Sequence, residues 1–187
     1  MGTVVNILED WASTESGKQN LYASQQGKLI RWLNEAQLLF CDKSECLRDV
    51  WQPTVTSTGN IALPSDFLRE IKNRVKWQDD KYLSQIDYPT ANIVGSFSDT
   101  QFYSIWNDTF YVWGAAAGTP EIPYIQKPTA LTVATLSSTN LDIPTQYHHR
   151  LFLFLDSMGL REMKDYAGSE ILFDKFENNA RQAYNDF

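Results

Sequence analysis

The chain has 187 residues, of which 43% are hydrophobic and 21% charged, and this suits one globular domain or two small ones with a shared core. Its net charge of −7 at pH 7 argues against sustained binding to a phosphate backbone, which needs clustered Lys and Arg. The longest apolar run, residues 151–155, is too short to cross a bilayer, and Glu9 and Asp10 stand where a signal peptide would have its apolar core. We therefore expect neither a membrane span nor secretion through a signal peptide.

The N-terminal part of the chain shows helical spacing. Apolar residues recur at steps of three and four over residues 20–40, which predicts a helix with one buried face. A shorter helical pattern occupies residues 4–11, and residues 13–17 interrupt it. Residues 42–51 are predicted to form one more short helix, which stops before Pro53 because proline disfavours helical backbone in the residue that precedes it.

The middle of the chain, residues 54–136, has short alternating segments rich in Val, Ile, Thr and aromatic residues, separated by Gly, Pro, Asn and Asp. The clearest hairpin spans residues 101–114 and turns at the Asn-Asp pair at 107–108, whose residue types tolerate positive φ angles. A second hairpin is expected over residues 71–88, with its turn near the Asp-Asp pair at 79–80. This part is therefore predicted to be β structure.

Helical spacing returns near the C-terminus. One helix is predicted over residues 145–166 and a last one over residues 169–187. Gly168 supplies the predicted break between them, because glycine is the usual residue after a helix end.

Helices at both ends of the chain must bury their apolar faces on one another. The sequence therefore predicts an α+β fold, in which the N- and C-terminal helices form a bundle and an antiparallel β region is inserted between them. In this prediction residues 1–53 and 137–187 form the helical bundle domain, and residues 54–136 form the inserted β domain.

Few residues suit catalysis or metal binding. His148 and His149 are the only histidines, and neighbours on a helix point about 100° apart, so the two cannot share one metal ion as a pair four residues apart would. Cys41 and Cys46 are five residues apart in a predicted helical stretch, so we expect them to point to different sides and to remain reduced thiols. The sequence thus indicates no catalytic residue, no metal site and no cofactor.

Aromatic residues are the most distinctive feature, since 10 Phe, 9 Tyr and 6 Trp make up 13% of the chain. The hairpin at 101–113 holds two of each, and they cannot all enter one small core because successive residues of a strand face opposite sides. An exposed aromatic strip marks an interface with protein or with sugar. Trp106, Phe110 and Trp113 are therefore candidates for contact with another protein. The alternatives are a sheet buried on both faces, or an aromatic-rich carbohydrate-binding or host-contact module.

Four segments in order carry a resemblance to a known family. They are LIRWLNEAQ at 29–37, IALPSDFLR at 61–69, YIQKPTAL at 124–131 and LDIPTQY at 141–147. In the second and the fourth, an apolar residue precedes proline and a hydroxyl residue follows it, a pattern typical of a junction between a strand and a helix. In order and spacing, over nearly the whole chain, these segments resemble the head-to-tail adaptor proteins of tailed bacteriophages, also called head completion, gatekeeper or connector proteins.

The resemblance implies a structural virion protein and not an enzyme. Such subunits assemble as a ring, commonly twelvefold, between the portal protein and a tail or nozzle protein, and the ring lines a channel that genome DNA passes without specific binding. The implied location is the neck of the virion, between head and tail, after synthesis in the host cytoplasm. The aromatic hairpin and the large β region depart from minimal helical adaptors, so the resemblance does not identify the tail-side partner. Within such a ring, Trp106, Phe110 and Trp113 are candidates for contact with a neighbouring subunit or a tail component.

The last predicted helix keeps its apolar stripe to the final residue. Tyr184 and Phe187 are three residues apart and share a face of a helix, and aromatic residues of this kind carry much of the binding energy of interfaces. Together with Arg181 they are candidates for docking on the portal. The alternative is that both rings close the bundle of their own subunit.

Overall fold

The structure is a computed structural model, and it describes residues 3–14, 16–56, 59–77, 81–88, 102–114 and 117–187. The chain forms two compact units, Met1–Leu47 with Lys127–Phe187, and Arg48–Gln126. The first unit is helical and the second is built from strands, which confirms the α+β fold with an inserted, largely antiparallel region. The chain leaves the helical unit at 47/48 and returns at 126/127, whereas the sequence placed these divisions at 53/54 and 136/137.

The N-terminal helices are α1 (Val4–Ser13), α2 (Ser16–Ser24) and α3 (Gln26–Ser44). The short helix expected near the start is confirmed as α1. The single helix predicted over residues 20–40 is wrong, because the backbone of Gln25 leaves the helical region at φ −135° and ψ 38° and separates α2 from α3.

The C-terminal helices are α4 (His148–Glu162) and α5 (Tyr166–Ala183), followed by a 3-10 turn at Tyr184–Asp186. The predicted break at Gly168 is wrong. The helices separate at Lys164, which has a φ of 64°, and Gly168 lies in the first turn of α5. There its N–H donates to the Asp165 carboxylate at 3.0 Å, which caps the start of the helix.

The helical unit has one hydrophobic core, to which α1, α3, α4 and α5 all contribute. Phe176 of α5 is at its centre, with its ring centroid 5.3 Å from that of Phe154 and 6.3 Å from that of Phe40. The other large side chains that are fully buried in this unit are those of Trp11, Tyr147, Leu8, Leu29 and Leu33. Truncating a buried aromatic residue such as Phe176 to Ala removes about 3–5 kcal/mol of stability.

The strands of the second unit are β1 (Arg48–Trp51), β2 (Asn60–Ala62), β3 (Phe67–Glu70), β4 (Ser84–Gln85), β5 (Phe102–Trp106), β6 (Thr109–Trp113) and β7 (Ile122–Gln126). Over the described residues they form two sheets, with strand orders β1-β7-β3 and β2-β6-β5-β4. Only the pair β4–β5 among them is parallel.

The helix predicted over residues 42–51 is wrong. The helical backbone ends with α3 at Ser44, and Glu45 follows with a left-handed φ of 54°. Residues 48–51 are β1, which pairs with β7 from Arg48 opposite Ile125 to Trp51 opposite Ile122. Pairing with a distant strand here outweighs the local helical pattern.

The predicted hairpin at 101–114 is confirmed by the pairing of β5 with β6. Asn107 and Asp108 have φ angles of 46° and 53°, as a tight two-residue turn with two positive φ angles requires. In the second predicted hairpin, Lys76 and Tyr82 form an antiparallel bridge, so the chain reverses between them. The expected turn residues, 79–80, lie outside the described part of the chain.

Glu70 is a charged residue placed in the interior of the β unit. Its side chain is only 8% exposed, and its Oε2 atom has no hydrogen-bond partner among the described residues. Burial raises the pKa of the Glu70 carboxyl, and it also raises the pKa of the nearby Tyr103 hydroxyl. A carboxyl whose pKa is higher in the folded than in the unfolded chain contributes stability at pH values below its pKa in the unfolded chain. This contribution is lost as the pH rises through its pKa in the folded protein.

We therefore expect Glu70→Gln to increase the free energy of unfolding at about pH 7 by about 1 kcal/mol, because it removes a buried charge. The gain should vanish near pH 4, where the wild-type carboxyl is also protonated in the unfolded chain. Urea unfolding at both pH values measures the difference. The control is Asp87→Asn, which removes an exposed carboxylate of the same unit and should change the free energy of unfolding by less than about 0.5 kcal/mol. Equal effects of both substitutions would contradict this account.

Candidate interaction surfaces

The two sides of the β5–β6 hairpin have different environments. Tyr103, Phe110 and Val112 point to one side and are buried in the core of the β unit. The alternate residues Tyr111 and Trp113 are half-buried, and Trp106 is 47% exposed. The alternation of a β-strand therefore creates an aromatic surface on the side away from the core.

Tyr88 completes this surface, which we call the aromatic face: Tyr88, Trp106, Tyr111 and Trp113. The Tyr88 ring centroid lies 4.4 Å from that of Tyr111 and 6.1 Å from those of both tryptophans. The rings of Tyr111 and Trp113 stack with their centroids 5.8 Å apart. These distances lie within or at the short end of the range of about 4.5–7 Å that is favourable for aromatic pairs, so the rings hold one another in position.

The structure separates the three residues that the sequence grouped as an interface. Trp106 and Trp113 belong to the aromatic face, but Phe110 is fully buried on the opposite side of the hairpin. The Phe110 ring packs against Tyr103 at 5.6 Å and against Trp51 at 6.2 Å. The prediction that Phe110 contacts a partner directly is therefore corrected, since its side chain supports the hairpin from within.

Sequence reasoning missed Tyr88 and Tyr111. Tyr111 could have been found, because it is two residues from Trp113 on the same strand and must face the same side. Tyr88 could not, because it follows a different strand and no local pattern relates it to the hairpin. Its position depends on the pairing of β4 with β5, which places Gln85 opposite Tyr103.

The second predicted surface lies at the C-terminal end of the helical unit, and we call Arg181, Tyr184 and Phe187 the C-terminal surface. Tyr184 is 46% exposed and Phe187 is 44% exposed. The Phe187 ring also packs on Tyr147, with centroids 5.6 Å apart, and Arg181 pairs with Glu177 at 3.1 Å. Phe187 thus contacts its own bundle and still exposes nearly half of its surface.

Tyr147 fixes this end of the chain to the helical core. Its hydroxyl donates to the Asp186 carboxylate at 2.7 Å, and the Arg150 guanidinium lies over its ring at 4.8 Å. Arg150 in turn donates to the backbone oxygen of Asn179 at 2.7 Å, which links α4 to α5. These contacts explain why the last residues are held in a defined position.

The helical unit also contains a cavity of about 470 Å³ lined mainly by apolar side chains, including Trp11, Trp32 and Met163. Two carboxylates line it: that of Asp156 accepts hydrogen bonds from the Trp11 indole and from Lys18, both at 2.8 Å, and that of Glu162 pairs with Lys28. The charged groups of Lys18 and Asp156 are therefore already engaged in joining α1 and α2 to α4. This arrangement suits a structural role for them.

The two histidines were the candidates for catalysis or metal binding, and their surroundings in the fold are as follows: one makes a hydrogen bond to the backbone and the other is exposed. The His148 ring bonds through Nε2 with the backbone oxygen of Ile143 at 2.7 Å, and burial lowers the pKa of His148. His149 is exposed. Among the residues that the structure describes, no three His, Cys, Asp or Glu side chains are grouped to hold a metal ion.

The expectation that Cys41 and Cys46 point to different sides is wrong. Their sulfurs are 3.7 Å apart. The expectation assumed continuous helix, whereas the left-handed Glu45 ends α3 and turns Cys46 back toward Cys41.

Both units carry more acidic than basic residues. The β unit, residues 48–126, has six Lys and Arg against nine Asp and Glu, and the helical unit has ten against fourteen. Neither unit is therefore basic. Within the described ranges, no helix combines the length and the apolar character needed to cross a membrane.

Comparison with known proteins adds to these observations. A search of curated proteins gives no match to this chain. The chain does match the family described as SU10 adaptor protein, and the match covers residues 2–187. Because it includes both the helical unit and the inserted β unit, the chain belongs to the SU10 adaptor protein family, a family of phage head-to-tail adaptors.

Proposed function

We propose that the chain forms a ring in the neck of the virion, joins the portal to the tail, and lines the channel that genome DNA passes. Membership of the adaptor family supports a structural role in a phage particle, and we propose no catalytic activity for it. The aromatic face is the observation that best supports the proposal. Its aromatic rings pack on one another on the side of the hairpin that faces away from the core of the β unit.

The aromatic face has the properties of a protein interface. Trp and Tyr provide large contact areas with few rotatable bonds, so that little conformational entropy is lost on binding. The four rings already pack on one another, which reduces this cost further. We propose that this face contacts a neighbouring subunit or the tail component.

The C-terminal surface is proposed to dock on the portal. Tyr184 and Phe187 are held at the end of α5, and each exposes nearly half of its surface. The ion pair of Arg181 with Glu177 joins residues one helical turn apart, and the Arg181 side chain is 62% exposed. Exposed pairs of this kind contribute little stability, so the guanidinium can exchange Glu177 for a carboxylate of a partner at small cost.

The charge of both units supports passage of DNA without binding. A protein that holds DNA neutralises phosphates with Lys and Arg, whereas acidic residues outnumber basic ones in each unit. We propose that the channel wall repels or only weakly contacts the phosphate backbone, so that the genome can slide along it.

Native mass spectrometry of the chain with and without its portal tests the proposed function. We expect a monomer alone, and a complex with one copy of the chain for each portal subunit, twelve for a twelvefold portal, when the two are mixed. A chain that remains monomeric in the presence of the portal would contradict the proposal.

A carbohydrate-binding or host-contact module is the second candidate, because Trp106 exposes part of its ring. Sugar platforms present open ring faces, but Tyr88 lies parallel to Trp106 and also packs on Trp113. This mutual packing favours a protein interface. Retention of the chain on immobilised glycans, together with no binding to the portal, would favour the second candidate.

The aromatic face gives a prediction that separates assembly from folding. Trp106→Ala should change the free energy of unfolding by less than about 1 kcal/mol, because the side chain is half exposed, and should weaken assembly on the portal by tenfold or more, about 1.4 kcal/mol. Phe110→Ala, on the buried side of the same hairpin, should instead cost about 3–5 kcal/mol of stability. Thermal unfolding and native mass spectrometry measure the two effects. Normal assembly of the Trp106 variant on the portal, together with unchanged attachment of the tail component to that assembly, would remove this residue from the interface.

The C-terminal surface gives a second prediction. Tyr184→Ala should leave the fold intact and weaken binding to the portal about tenfold, as the loss of an aromatic anchor does. Tyr166→Ala is the matched control, since Tyr166 is 64% exposed at the opposite end of α5. Surface plasmon resonance on immobilised portal compares the two dissociation constants. If both variants bind like the wild type, Tyr184 has no part in docking.

A further inference from the structure

Cys41 and Cys46 form a pair at the point where the chain leaves the helical unit. Cys41 is in the last turn of α3 and is fully buried, whereas Cys46 follows the helix and is partly exposed. Glu45 between them has a φ of 54°, and its N–H donates to the backbone oxygen of Cys41 at 2.9 Å. This left-handed cap brings the two sulfurs to 3.7 Å from each other.

We propose that Cys41 and Cys46 are an oxidative modification site, at which a small-molecule disulfide of the glutathione class converts the two thiols into an intramolecular disulfide. The proposal rests on the separation of the sulfurs and on their unequal exposure. It does not depend on ring formation or on binding to the portal.

The geometry favours closure of this bond. The two sulfur atoms must approach from 3.7 Å to roughly 2 Å, so only a small displacement of the sulfurs is required. Cys41 is buried in the core of the helical unit, whereas Cys46 packs against this core from the short segment between α3 and β1, which belongs to no helix or strand. The movement can therefore take place at Cys46.

The two thiols differ in how readily they ionise. The hydrogen bond between them raises the pKa of Cys41, and burial raises it further, because the buried group keeps its proton. The same hydrogen bond lowers the pKa of Cys46, since the remaining S–H of Cys41 stabilises the Cys46 thiolate. Cys46 is thus both the more exposed thiol and the better nucleophile.

The reaction proceeds in two exchange steps. The Cys46 thiolate attacks one sulfur of glutathione disulfide, the S–S bond of the reagent breaks, and the released glutathione thiolate takes up the proton that Cys46 lost. Cys41 then loses its proton and attacks the Cys46 sulfur, and the second glutathione leaves as a thiolate that takes this proton. Two thiols and one glutathione disulfide become one protein disulfide and two molecules of glutathione, so the two cysteines supply the two electrons.

The surroundings of a virion protein make this chemistry relevant. Cytoplasm keeps thiols reduced, whereas particles released from a cell meet an oxidising medium. A cysteine pair that is reduced during assembly and oxidised afterwards would close a short disulfide-bonded loop at the end of α3. It would reinforce the segment immediately before residue 48, where the chain enters the β unit.

Oxidation of the folded protein with glutathione disulfide, followed by acid quenching, alkylation and intact-mass measurement, tests the site. We expect the wild type to lose both alkylatable thiols and two hydrogen atoms, with no glutathione retained and no covalent dimer. Cys41→Ala should retain one glutathione on Cys46, because nothing resolves the mixed disulfide. Cys46→Ala should remain unmodified, because Cys41 is buried.

Circular dichroism of each variant before oxidation establishes that it is folded, and the wild-type result stands without the variants. A wild type that keeps glutathione on Cys46 would overturn the proposal. So would a wild type that reacts only in denaturant, or one that forms disulfides between chains.

Discussion

The fold depends on one shared core between helices from the two ends of the chain. The Phe40 ring of α3 lies 5.5 Å from Tyr147 and 6.3 Å from Phe176, so segments far apart in sequence must meet before any of them is buried. Asn34 of α3 also bonds to the returning chain, accepting from the Leu131 N–H at 2.8 Å and donating to the Leu131 oxygen at 3.0 Å. Burial of the terminal helices thus makes the β region an insertion, attached to the helical unit by two covalent connections.

Within that insertion, strand alternation places the aromatic residues in two environments. Tyr103 and Phe110 build the core, and Trp106, Tyr111 and Trp113 lie on the opposite side of the same hairpin, where they are available for the proposed contact. A half-exposed cluster of this kind is costly to leave in water, so it is expected in a subunit that functions in an assembly. In the helical unit, Tyr147 serves core and terminus together, since its ring packs on Phe40 and its hydroxyl binds Asp186.

The sequence predicts the parts of this structure that follow from local rules. Alternating residues with an Asn-Asp turn predict the hairpin, and apolar spacing predicts helices at both ends. Long-range pairing and single backbone angles are not visible in such patterns. Strand β1 was predicted as helix because its partner β7 is distant, and the interruptions at Gln25 and Lys164 carry no glycine or proline to mark them. The sequence predicts that the hairpin has an exposed aromatic surface. It wrongly includes Phe110, which is buried on the opposite side, and it does not indicate Tyr88.

We propose that this adaptor forms a ring between portal and tail and uses the aromatic face as a contact. Electron cryo-microscopy of the intact particle, with side-chain density in the neck, tests this proposal. We expect density for the chain as a closed ring against the portal, with Trp106 and Trp113 buried against a neighbouring subunit or a tail protein. Density for the chain elsewhere in the particle, or a neck ring whose aromatic faces are open to solvent, would contradict it.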